Sequence, residues 1–482
     1  MPLFAGLDLG TTHTKLLVLD EKGNLLHQAK AAYTKGFGAH LDPQEILTLS
    51  LQLLFETFSN KDGIEELVYL SLSAAMHSLV LVDENCYPLN SMTTWADTSS
   101  QDIVAKNRKE PVIRTLVAET GTPFHPMTPF AKLWQIKEEQ PDLLARVFKC
   151  IGIKEFIWYH LTGYWEIDHS MAAATGMYAP LLQDWHPLAL ELAGIRNDQL
   201  PEIHPVERRV DRGILNKPGY RFVYILGGSD GCLAQIGSRA MQPGVASLTI
   251  GTSGAIRVVL PQFKSDPDSG LFSYQLDSDN YVCGGPTNNG GIVLQWWEEK
   301  VMGKTAPLGI LLDQFEKEAA SVLPGCEGLV CLPYFGGERA PVWDASSSGM
   351  FAGIRMNHHQ GHFKRAMVEG VCFIFKQILE RIEEVNGSVL RIIASGGFTQ
   401  SEWWLQVMSD VLERRIEVGK EDADASALGA IGVGMKSAGV IRNWTDLEKL
   451  LPFSYKMVEP DSSTNTIYRN QYQQFLRLCH YS

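Results

Sequence analysis

The chain has 482 residues, of which 45% are hydrophobic and 20% charged, and its net charge is −13. This length predicts at least two domains, and the composition is typical of a soluble globular protein. The negative charge argues against a surface for nucleic-acid phosphates or anionic membranes. Eight scattered cysteines argue against a disulfide framework. Without a membrane span or a signal peptide, we expect a cytoplasmic protein.

The chain opens with a predicted hairpin around Gly10-Thr-Thr12. Apolar strand-like runs enter and leave this turn, which is typical of two antiparallel strands. Glycine lets a ligand approach the backbone, and loop N–H groups and hydroxyls can donate to phosphate oxygens. Asp8 lies in an otherwise apolar strand, where a carboxylate is costly unless it is paired or holds a cation. The stretch alone predicts either a phosphate clamp with a metal carboxylate or a plain hairpin.

Two long helices are predicted from local signals. The first runs from Pro43 to Phe58, with Asp42 as its N-cap and Glu45 completing a capping box. The second covers residues 362–385, where apolar residues recur at helical spacing. The last residues, from about 443 onward, are predicted to be helical and to carry no chemistry.

Polar side chains follow three predicted strand-like runs in the first half of the chain. His77 comes after the apolar run 67–73, and Asp230 lies in a glycine-rich turn after the run 223–226. Trp95 and Asp97 follow a shorter run, and an aromatic ring beside a carboxylate suits a polyol. Ligands gather at strand ends in open α/β sheets, so each position is a candidate substrate contact. The alternatives are a structural histidine, a surface turn and an ordinary turn aspartate.

A second copy of the opening pattern lies half a chain later. Residues 247–260 align without gaps on residues 6–19, so that Gly251 falls on Gly10. Such a repeat suggests two homologous domains that face one ligand. Thr249 stands where the first copy has Asp8. The two copies therefore share a predicted phosphate loop, and only the first has a metal carboxylate.

The second half also contains a predicted nucleotide cradle. The buried run 390–394 ends in Gly396 and Gly397 before a helix, and helix N-termini after such turns bind phosphate. The small-residue helix at 425–434 either packs closely or makes room for an adenine. The sequence has no G-x-G-x-x-G after the first strand, no complete P-loop and no G-x-S-x-G, which argues against nicotinamide-dependent, P-loop and hydrolase chemistry.

Together these residues resemble the FGGY carbohydrate kinases. One long family signature is met in full by Gly349-Met-Phe-Ala-Gly-Ile354, seven further residues, and His362-Phe-Lys-Arg-Ala-Met-Val-Glu369. A second is met in part at 127–132, because Gln135 stands where the family usually has tryptophan. The resemblance implies an α/β fold of two actin/hexokinase-like (ribonuclease H-like) ATPase domains around a central cleft. Residues 1–245 would hold the sugar and the catalytic aspartate, and residues 246–482 the nucleotide.

Within the family, several stretches are most similar to gluconokinases, among them Ala75-Met-His-Ser78 and Gly251-Thr-Ser-Gly-Ala-Ile-Arg257. This implies transfer of the ATP γ-phosphoryl group, with Mg²⁺, to a primary hydroxyl of an open-chain sugar acid, D-gluconate. The chain departs from many members at Thr98-Ser-Ser100, where they have an arginine. A xylulokinase or another ketopentose or polyol kinase is the alternative within the class. A non-catalytic sugar sensor and a chaperone-like ATPase are the alternatives outside it.

The resemblance also implies a role for each matching residue. Asp230 is the expected general base, and Asp8 the expected Mg²⁺ carboxylate. The expected ATP contacts are Thr11, Thr12, Lys15, Gly251, Thr252, Ser253, Gly396, Gly397, Gln400 and Ser401. The expected sugar contacts are Met76, His77, Trp95, Asp97, His125, Lys154 and Asp230. Because a substrate carboxylate needs a cation or several donors, Lys154 and then His125 are the candidates to bind it. No nucleic acid or membrane partner is expected, and a homodimer is the candidate assembly.

Overall fold

The computed structural model of the chain describes residues 2–59, 65–215, 217–419, 424–451 and 455–481. Two large mixed sheets, each covered by helices, organise it. In spatial order the first sheet contains Arg209–Val210, Tyr220–Ser229, Glu66–Ala74, Leu3–Leu9, His13–Asp20 and Leu25–Ala32. The second contains Phe272–Gln275, Tyr281–Thr287, Gly254–Leu260, Val245–Ile250, Arg391–Ser395, Ile416–Gly419 and Tyr455–Val458.

The opening hairpin is confirmed, and it lies inside the first sheet. Leu3–Leu9 pairs antiparallel with His13–Asp20, which sets Asp8 opposite Lys15. On its other side it pairs in parallel with Glu66–Ala74, which sets Asp8 beside Ser73. The turn residues 10–12 therefore lie at the end of a buried strand, where a ligand can reach them.

The second hairpin repeats this arrangement in the second sheet. Val245–Ile250 pairs antiparallel with Gly254–Leu260 and in parallel with Arg391–Ser395. The parallel register sets Thr249 beside Ser395, as Asp8 is set beside Ser73. The repeat seen in the sequence is thus also a repeat of strand pairing.

Helices and small sheets fill the space around the two large sheets. The α-helices are Pro43–Thr57, Gln101–Asn107, Pro111–Thr120, Pro129–Glu139, Pro141–Ala145, Ile153–Thr162, His169–Ala174, Pro187–Ala193, Asp230–Gly237, Ile292–Trp296, Leu308–Ala320, Gln360–Asn386, Glu402–Leu412, Ala425–Ser437, Trp444–Leu450 and Asn465–Leu478. The short strands are Gly36–Phe37, His40–Leu41, Val80–Val82, Met92–Thr93, Lys149–Ile151, Glu166–Asp168, Tyr178–Ala179, Asp184–Trp185, Glu202–His204, Val330–Leu332 and Met350–Ala352. No helix among the described residues combines the length and the apolar character that a membrane crossing requires.

One late helix packs against the first sheet although its sequence follows the second. Ala425–Ser437 buries Ala427, Ile431 and Met435 in the same apolar core as the first-sheet strands. A glycine of the first strand permits this close packing, because a Cβ on Gly6 would lie only 2.3 Å from the Ala427 carbonyl oxygen. The N-terminus of this helix is thereby brought to the first hairpin.

Three local predictions need correction. Glu45 does not complete a capping box, because its carboxylate accepts hydrogen bonds from the Thr34 and Lys35 backbone instead. The strand Tyr220–Ser229 continues through the glycines with a register shift, so Asp230 begins a helix rather than tipping a turn. The C-terminal part also contains the strand Tyr455–Val458. The N-cap at Asp42 is confirmed, since its Oδ1 accepts from Gln44 N at 2.9 Å.

Candidate active site

Asp8 places a buried carboxylate at the end of the first hairpin. Its Oδ1 accepts a hydrogen bond of 2.6 Å from the Ser73 hydroxyl. Burial, reinforced by the nearby Asp424 carboxylate, raises the pKa of Asp8 to about 8. The protein around Asp8 thus compensates its negative charge only in part. A bound cation would stabilise the ionised form, and oxygen ligands are those that Mg²⁺ prefers.

The Lys15 side chain forms an ion pair with Asp424, which is also the N-cap of the helix Ala425–Ser437. Sequence reasoning missed Asp424. Its signal was an aspartate directly before a small-residue helix, which is a strong N-cap pattern. Asp424 also raises the pKa of Asp230, so three carboxylates influence one end of the site. The described residues nevertheless contain no group of three His, Cys, Asp or Glu side chains placed to hold a metal ion by themselves.

The first hairpin loop is short and closed by its own backbone. Gly10 N donates to the His13 carbonyl at 3.0 Å. Thr11 is half-buried and Thr12 exposed, and the Thr12 hydroxyl lies 2.9 Å from His13 Nδ1. Both predicted phosphate contacts therefore remain accessible at the loop.

The second hairpin loop has the same closure and an additional anchor. Gly251 N donates to the Ser253 carbonyl, and Gly291 N donates to the Gly251 carbonyl, each at 2.8 Å. Thr252 is exposed and Ser253 half-buried. The anchor fixes this loop against the start of the helix Ile292–Trp296.

A cavity of about 320 Å³ adjoins the second hairpin loop. Five predicted nucleotide contacts line it, namely Gly251, Thr252, Gly397, Gln400 and Ser401. Gly396, a further predicted contact, does not line the cavity but directly precedes Gly397 and has a backbone φ of 93°. Sequence reasoning missed the opposite wall, where Gln295, Asp313, Glu316, Trp403 and Trp404 add polar groups and rings. Asp313 and Glu316 belong to the helix Leu308–Ala320, whose amphipathic pattern was the available signal.

Asp230 is the first residue of the helix Asp230–Gly237. Its Oδ1 accepts from Gly231 N at 2.8 Å and from Met76 N at 3.4 Å. Burial raises the pKa of Asp230, and Arg257 opposes that rise. A carboxylate with an elevated pKa that is held by backbone donors suits the role of a general base. Met76, a predicted substrate contact, thereby also positions Asp230.

His77 is held in one tautomer beside Asp230. Its Nδ1 lies 2.7 Å from the Ala174 carbonyl oxygen, which can only accept, so Nδ1 carries the hydrogen. Burial lowers the pKa of His77 to about 3, which keeps the ring neutral. Its Nε2 is therefore an acceptor for a hydroxyl. The residue also has a φ of 66°, an uncommon conformation that is often found at functional sites.

Trp95 and Asp97 lie together near His77. Asp97 accepts hydrogen bonds from the Ser99 backbone and hydroxyl at 2.9 and 3.1 Å. Lys132, which sequence reasoning had not placed in the site, donates to the Thr94 and His77 carbonyls at 2.6 and 3.1 Å. Burial lowers the pKa of Lys132 to about 7. This lysine joins the two segments that carry the predicted sugar contacts.

His125 faces the second half of the chain. Its Nδ1 accepts from Met127 N at 3.2 Å, and burial lowers its pKa to about 3. In this neutral ring the hydrogen lies on Nε2, which is buried and has no hydrogen-bond partner among the described residues. His125 is therefore a donor to a ligand, and it stays in the proposed site.

Lys154 does not belong to the site, which corrects the prediction. Its side chain is fully buried, and its Nζ lies 3.0 Å from Asp168 and 3.3 Å from Glu155. Two carboxylates already satisfy this ammonium group in the domain core. The helix Ile153–Thr162 points Lys154 inward, a direction that its position in the sequence did not reveal.

Two arginines that sequence reasoning missed lie near the predicted catalytic and sugar contacts. Arg257 lies next to Asp230 and opposes the rise of its pKa. The Arg339 guanidinium carbon lies 5.0 Å from the centre of the Trp95 ring. The available signals were the arginine that ends the second hairpin motif and the Gly337-Glu-Arg-Ala-Pro341 segment.

Comparison with known sequences identifies the family. Residues 3–220 match the N-terminal domain, and residues 246–438 the C-terminal domain, of the FGGY family of carbohydrate kinases. A gluconokinase from Bacillus subtilis (strain 168) is 35% identical over 492 residues, which cover 98% of this chain and 94% of the relative. The chain belongs to the FGGY family of carbohydrate kinases.

Solved structures agree with this assignment. A gluconate kinase from Lactobacillus acidophilus superposes on this carbohydrate kinase with a TM-score of 0.91 at 29% identity, covering 100% of this chain and 98% of the other. A ligand-bound xylulose kinase from the same organism gives 0.92 at 29% identity with the same coverage. The predicted two-domain α/β kinase fold and the predicted enzyme class are confirmed. Both kinds of acceptor sugar are represented among these relatives.

Proposed function

We propose that this carbohydrate kinase transfers the γ-phosphoryl group of ATP to the primary hydroxyl of D-gluconate, giving 6-phosphogluconate. The observation that carries the proposal is the position of Asp230, which lies beside both Met76 and Arg257, between the sugar-facing groups and the end of the first hairpin. The 35% identity to a gluconokinase supports the choice of acceptor. We assign the sugar site and the base to residues 1–245 and the nucleotide site to residues 246–482.

In this proposal Asp230 accepts the proton of the reacting hydroxyl. The hydrogen bonds that described residues donate to its carboxylate reach Oδ1, which leaves Oδ2 for the substrate. Phosphoryl transfer needs mainly positioning and charge neutralisation. A base held by two backbone N–H groups supplies the positioning.

The sugar hydroxyls contact the neighbouring polar groups. His77 Nε2 accepts from one hydroxyl, because Nδ1 is committed to Ala174. Trp95 lies along the carbon chain, and Asp97 accepts from a further hydroxyl. Lys132 fixes the spacing between these groups through the His77 and Thr94 carbonyls.

ATP lies across the two hairpin loops. The adenosine occupies the cavity lined by Gly397, Gln400 and Ser401, and the phosphates reach Thr11, Thr12, Thr252 and Ser253. Asp8 would hold Mg²⁺, and the ion would supply neutralisation of phosphate charge. The raised pKa of Asp8 and its oxygen chemistry fit this ion. Lys15 acts through its ion pair with Asp424 at the edge of this region.

Xylulose is the second candidate acceptor, because a ligand-bound xylulose kinase superposes as well as the gluconate kinase does. A non-catalytic sensor is disfavoured, because both carboxylates are present near the loops, with Asp8 buried and Asp230 half-buried. The two acceptors differ in charge, so a direct comparison of turnover separates them.

The test is ADP release with Mg·ATP against D-gluconate, D-xylulose, D-ribulose and glycerol. We expect the highest kcat/KM with gluconate and a loss of about 100-fold or more in Asp230→Asn. Asp461→Asn, which alters a helix cap far from the cleft, is the matched control and should leave turnover unchanged. A preference for xylulose would show that gluconate is the wrong acceptor while keeping the kinase activity. ATP binding without turnover of any sugar would favour a non-catalytic sugar sensor.

A further inference from the structure

Two guanidinium groups beside the sugar site have acidic neighbours, Asp230 for Arg257 and Glu338 for Arg339, but in the described part of the chain no close ion pair with either. Arg257 lies on the strand Gly254–Leu260, and Arg339 is only 7% exposed. Among the described residues, neither forms an ion pair with a carboxylate within 4.0 Å. Glu338, the acid next to Arg339 in sequence, already accepts hydrogen bonds from Thr287 and Asn289. Buried charges normally have such partners, so this pair needs an explanation.

The two guanidiniums extend from the catalytic aspartate to the predicted sugar contacts. A Cβ on Gly231 would lie 3.3 Å from Arg257 Nε, which places that arginine directly over the residue after Asp230. Arg339 lies over the Trp95 ring at 5.0 Å and lowers the pKa of His125. Arg257 in turn lowers the pKa of Arg339. The positive charge is therefore continuous along one wall of the site.

Unused hydrogen-bond donors cluster on the same wall. The buried Nε atoms of Arg257 and Arg339, Nε2 of His125 and the Tyr274 hydroxyl have no hydrogen-bond partner among the described residues. Tyr274 belongs to this group, since both arginines influence its pKa. Buried donors are nearly always satisfied in folded proteins. Four such donors around two cations require a ligand that accepts several hydrogen bonds and carries negative charge.

We propose that Arg257 and Arg339 bind the carboxylate of the acceptor sugar acid, with His125 Nε2 and the Tyr274 hydroxyl as further donors. The inference rests on the proposed sugar-acid kinase activity and names the residues that select the acid. A guanidinium matches a carboxylate with two parallel hydrogen bonds. A neutral ketose or polyol has no carboxylate to accept from these donors, so the same wall disfavours it.

The carboxylate site combines side chains from both halves of the chain. Arg257, Tyr274 and Arg339 follow residue 246, where the C-terminal family domain begins. His125 lies within the N-terminal family domain, as does the Trp95 ring beneath Arg339. A bound sugar acid would therefore connect the N-terminal domain, which binds its hydroxyls, to the C-terminal domain, whose arginines bind its carboxylate.

The test compares D-gluconate with D-glucitol, which has the same six-carbon chain with CH₂OH in place of the carboxylate. Wild-type enzyme should prefer gluconate by about 100-fold or more in kcat/KM, the range expected for charge-assisted hydrogen bonds. Arg257→Met and Arg339→Met should each lower kcat/KM for gluconate by about 100-fold, mainly through KM. Turnover of glucitol should change less than about threefold in Arg339→Met, so the preference for gluconate is lost. In Arg257→Met it should also fall, because Arg257 lies beside Asp230, but by much less than turnover of gluconate. Arg257→Lys keeps the charge and should recover part of the preference.

Controls separate binding from folding. Arg381→Met, which removes an exposed arginine paired with Glu384 three residues later in the helix Gln360–Asn386, should change nothing. Each variant should keep its ATP affinity and its melting temperature. If a variant loses stability, calorimetric binding of gluconate and of glucitol to the folded fraction provides the same comparison.

Three outcomes are decisive. Equal losses for gluconate and glucitol in Arg257→Met would overturn the inference and make Arg257 a positioning residue for Asp230. Equal wild-type affinity for gluconate and glucitol would also overturn it. If gluconate is not phosphorylated but other hexonates bind more tightly than their polyols, and Arg257→Met abolishes that difference, the carboxylate site stands while gluconate is wrong as the acceptor.

Discussion

The two hairpins have the same scaffold and differ in one side chain. In the first, Ser73 donates to the Asp8 carboxylate at 2.6 Å. In the second, the Ser395 and Thr249 hydroxyls lie 2.9 Å apart at the corresponding positions. Each pair joins neighbouring parallel strands at the loop end. The fold thus duplicates the hairpin, and in the proposed function the exchange of one carboxylate for a hydroxyl would separate a metal-binding half from a nucleotide-binding half.

The residues around the two hairpins also differ, with carboxylates near the first and a cavity beside the second. Asp8 shares its end of the cleft with Asp230 and Asp424, whose charges raise its pKa. The second loop instead adjoins the cavity that contains Gly397 and Gln400. Carboxylates therefore concentrate at the first loop, where a cation would be needed. The second loop has none, and the carboxylates of the cavity beside it, Asp313 and Glu316, belong to another helix.

The largest expected effect comes from making the first hairpin resemble the second. Asp8→Thr removes the carboxylate while keeping a hydroxyl for Ser73, and kcat should fall by about 1000-fold, the scale of metal-dependent charge stabilisation. Because the buried carboxylate is no longer present, the melting temperature without Mg²⁺ should rise by a few degrees. Steady-state kinetics and calorimetry measure both. Unchanged kcat would remove Asp8 from the metal site.

A smaller effect should follow from placing alanine after the second-half serine Ser395, where the first half already has alanine after Ser73. A Cβ on Gly396 would lie 2.4 Å from the Ile250 carbonyl oxygen, and the residue has a φ of 93°. Ala74 occupies the corresponding place after Ser73. Gly396→Ala should weaken ATP binding by about 10- to 100-fold. Gly434→Ala, where the added carbon meets only ordinary contacts of 3.7 Å or more on the first sheet, is the control and should change ATP affinity less than about twofold by titration calorimetry.

The reciprocal exchange should have a still smaller effect. Thr249→Asp adds a carboxylate beside the ATP phosphates without a second cation. ATP affinity should fall by about tenfold because like charges repel, and the loss should be relieved at high salt. Tighter Mg·ATP binding in this variant would show that the second loop can also hold the metal.

Acid stability should depend on the sugar-facing histidines of the first half. The pKa values of His77 and His125 are lowered from 6.5 to about 3 by burial. Between these values the unfolded chain binds protons that the folded chain does not, so stability must fall as the pH drops from about 6.5 towards 3. Each histidine contributes about 1.4 kcal/mol per pH unit.

The measurement is urea unfolding at several pH values. His77→Gln with His125→Gln should flatten the dependence in this range. Arg257 and Arg339, the neighbouring cations, keep their protons throughout and should contribute no slope. An unchanged slope in the double variant would show that other groups cause the acid loss.

Local signals explain what the sequence could predict. The Gly-Thr-Thr turn, its second copy and the aspartate after a strand are all short-range patterns. Both hairpins and the strand that leads to Asp230 could therefore be predicted from the sequence. The direction of a side chain is set by packing. Lys154 points inward to Asp168 and Glu155, and Glu45 meets Thr34 rather than its own helix.

Contacts between distant segments account for the rest. Asp424 reaches Lys15 because the helix after it packs on the first sheet. Arg339 reaches Trp95 across the two halves of the chain. Neither neighbour could be inferred from spacing, since each pair is joined only by the tertiary fold.

The most direct test of the proposed reaction is the position of the phosphate in the product. The enzyme, Mg·ATP and uniformly ¹³C-labelled D-gluconate would be incubated and the product examined by ³¹P and ¹³C NMR. A phosphate ester coupled to carbon 6, absent from a reaction with Asp230→Asn, is the predicted result. Inorganic phosphate without a sugar ester, or an ester formed equally by the variant, would contradict it.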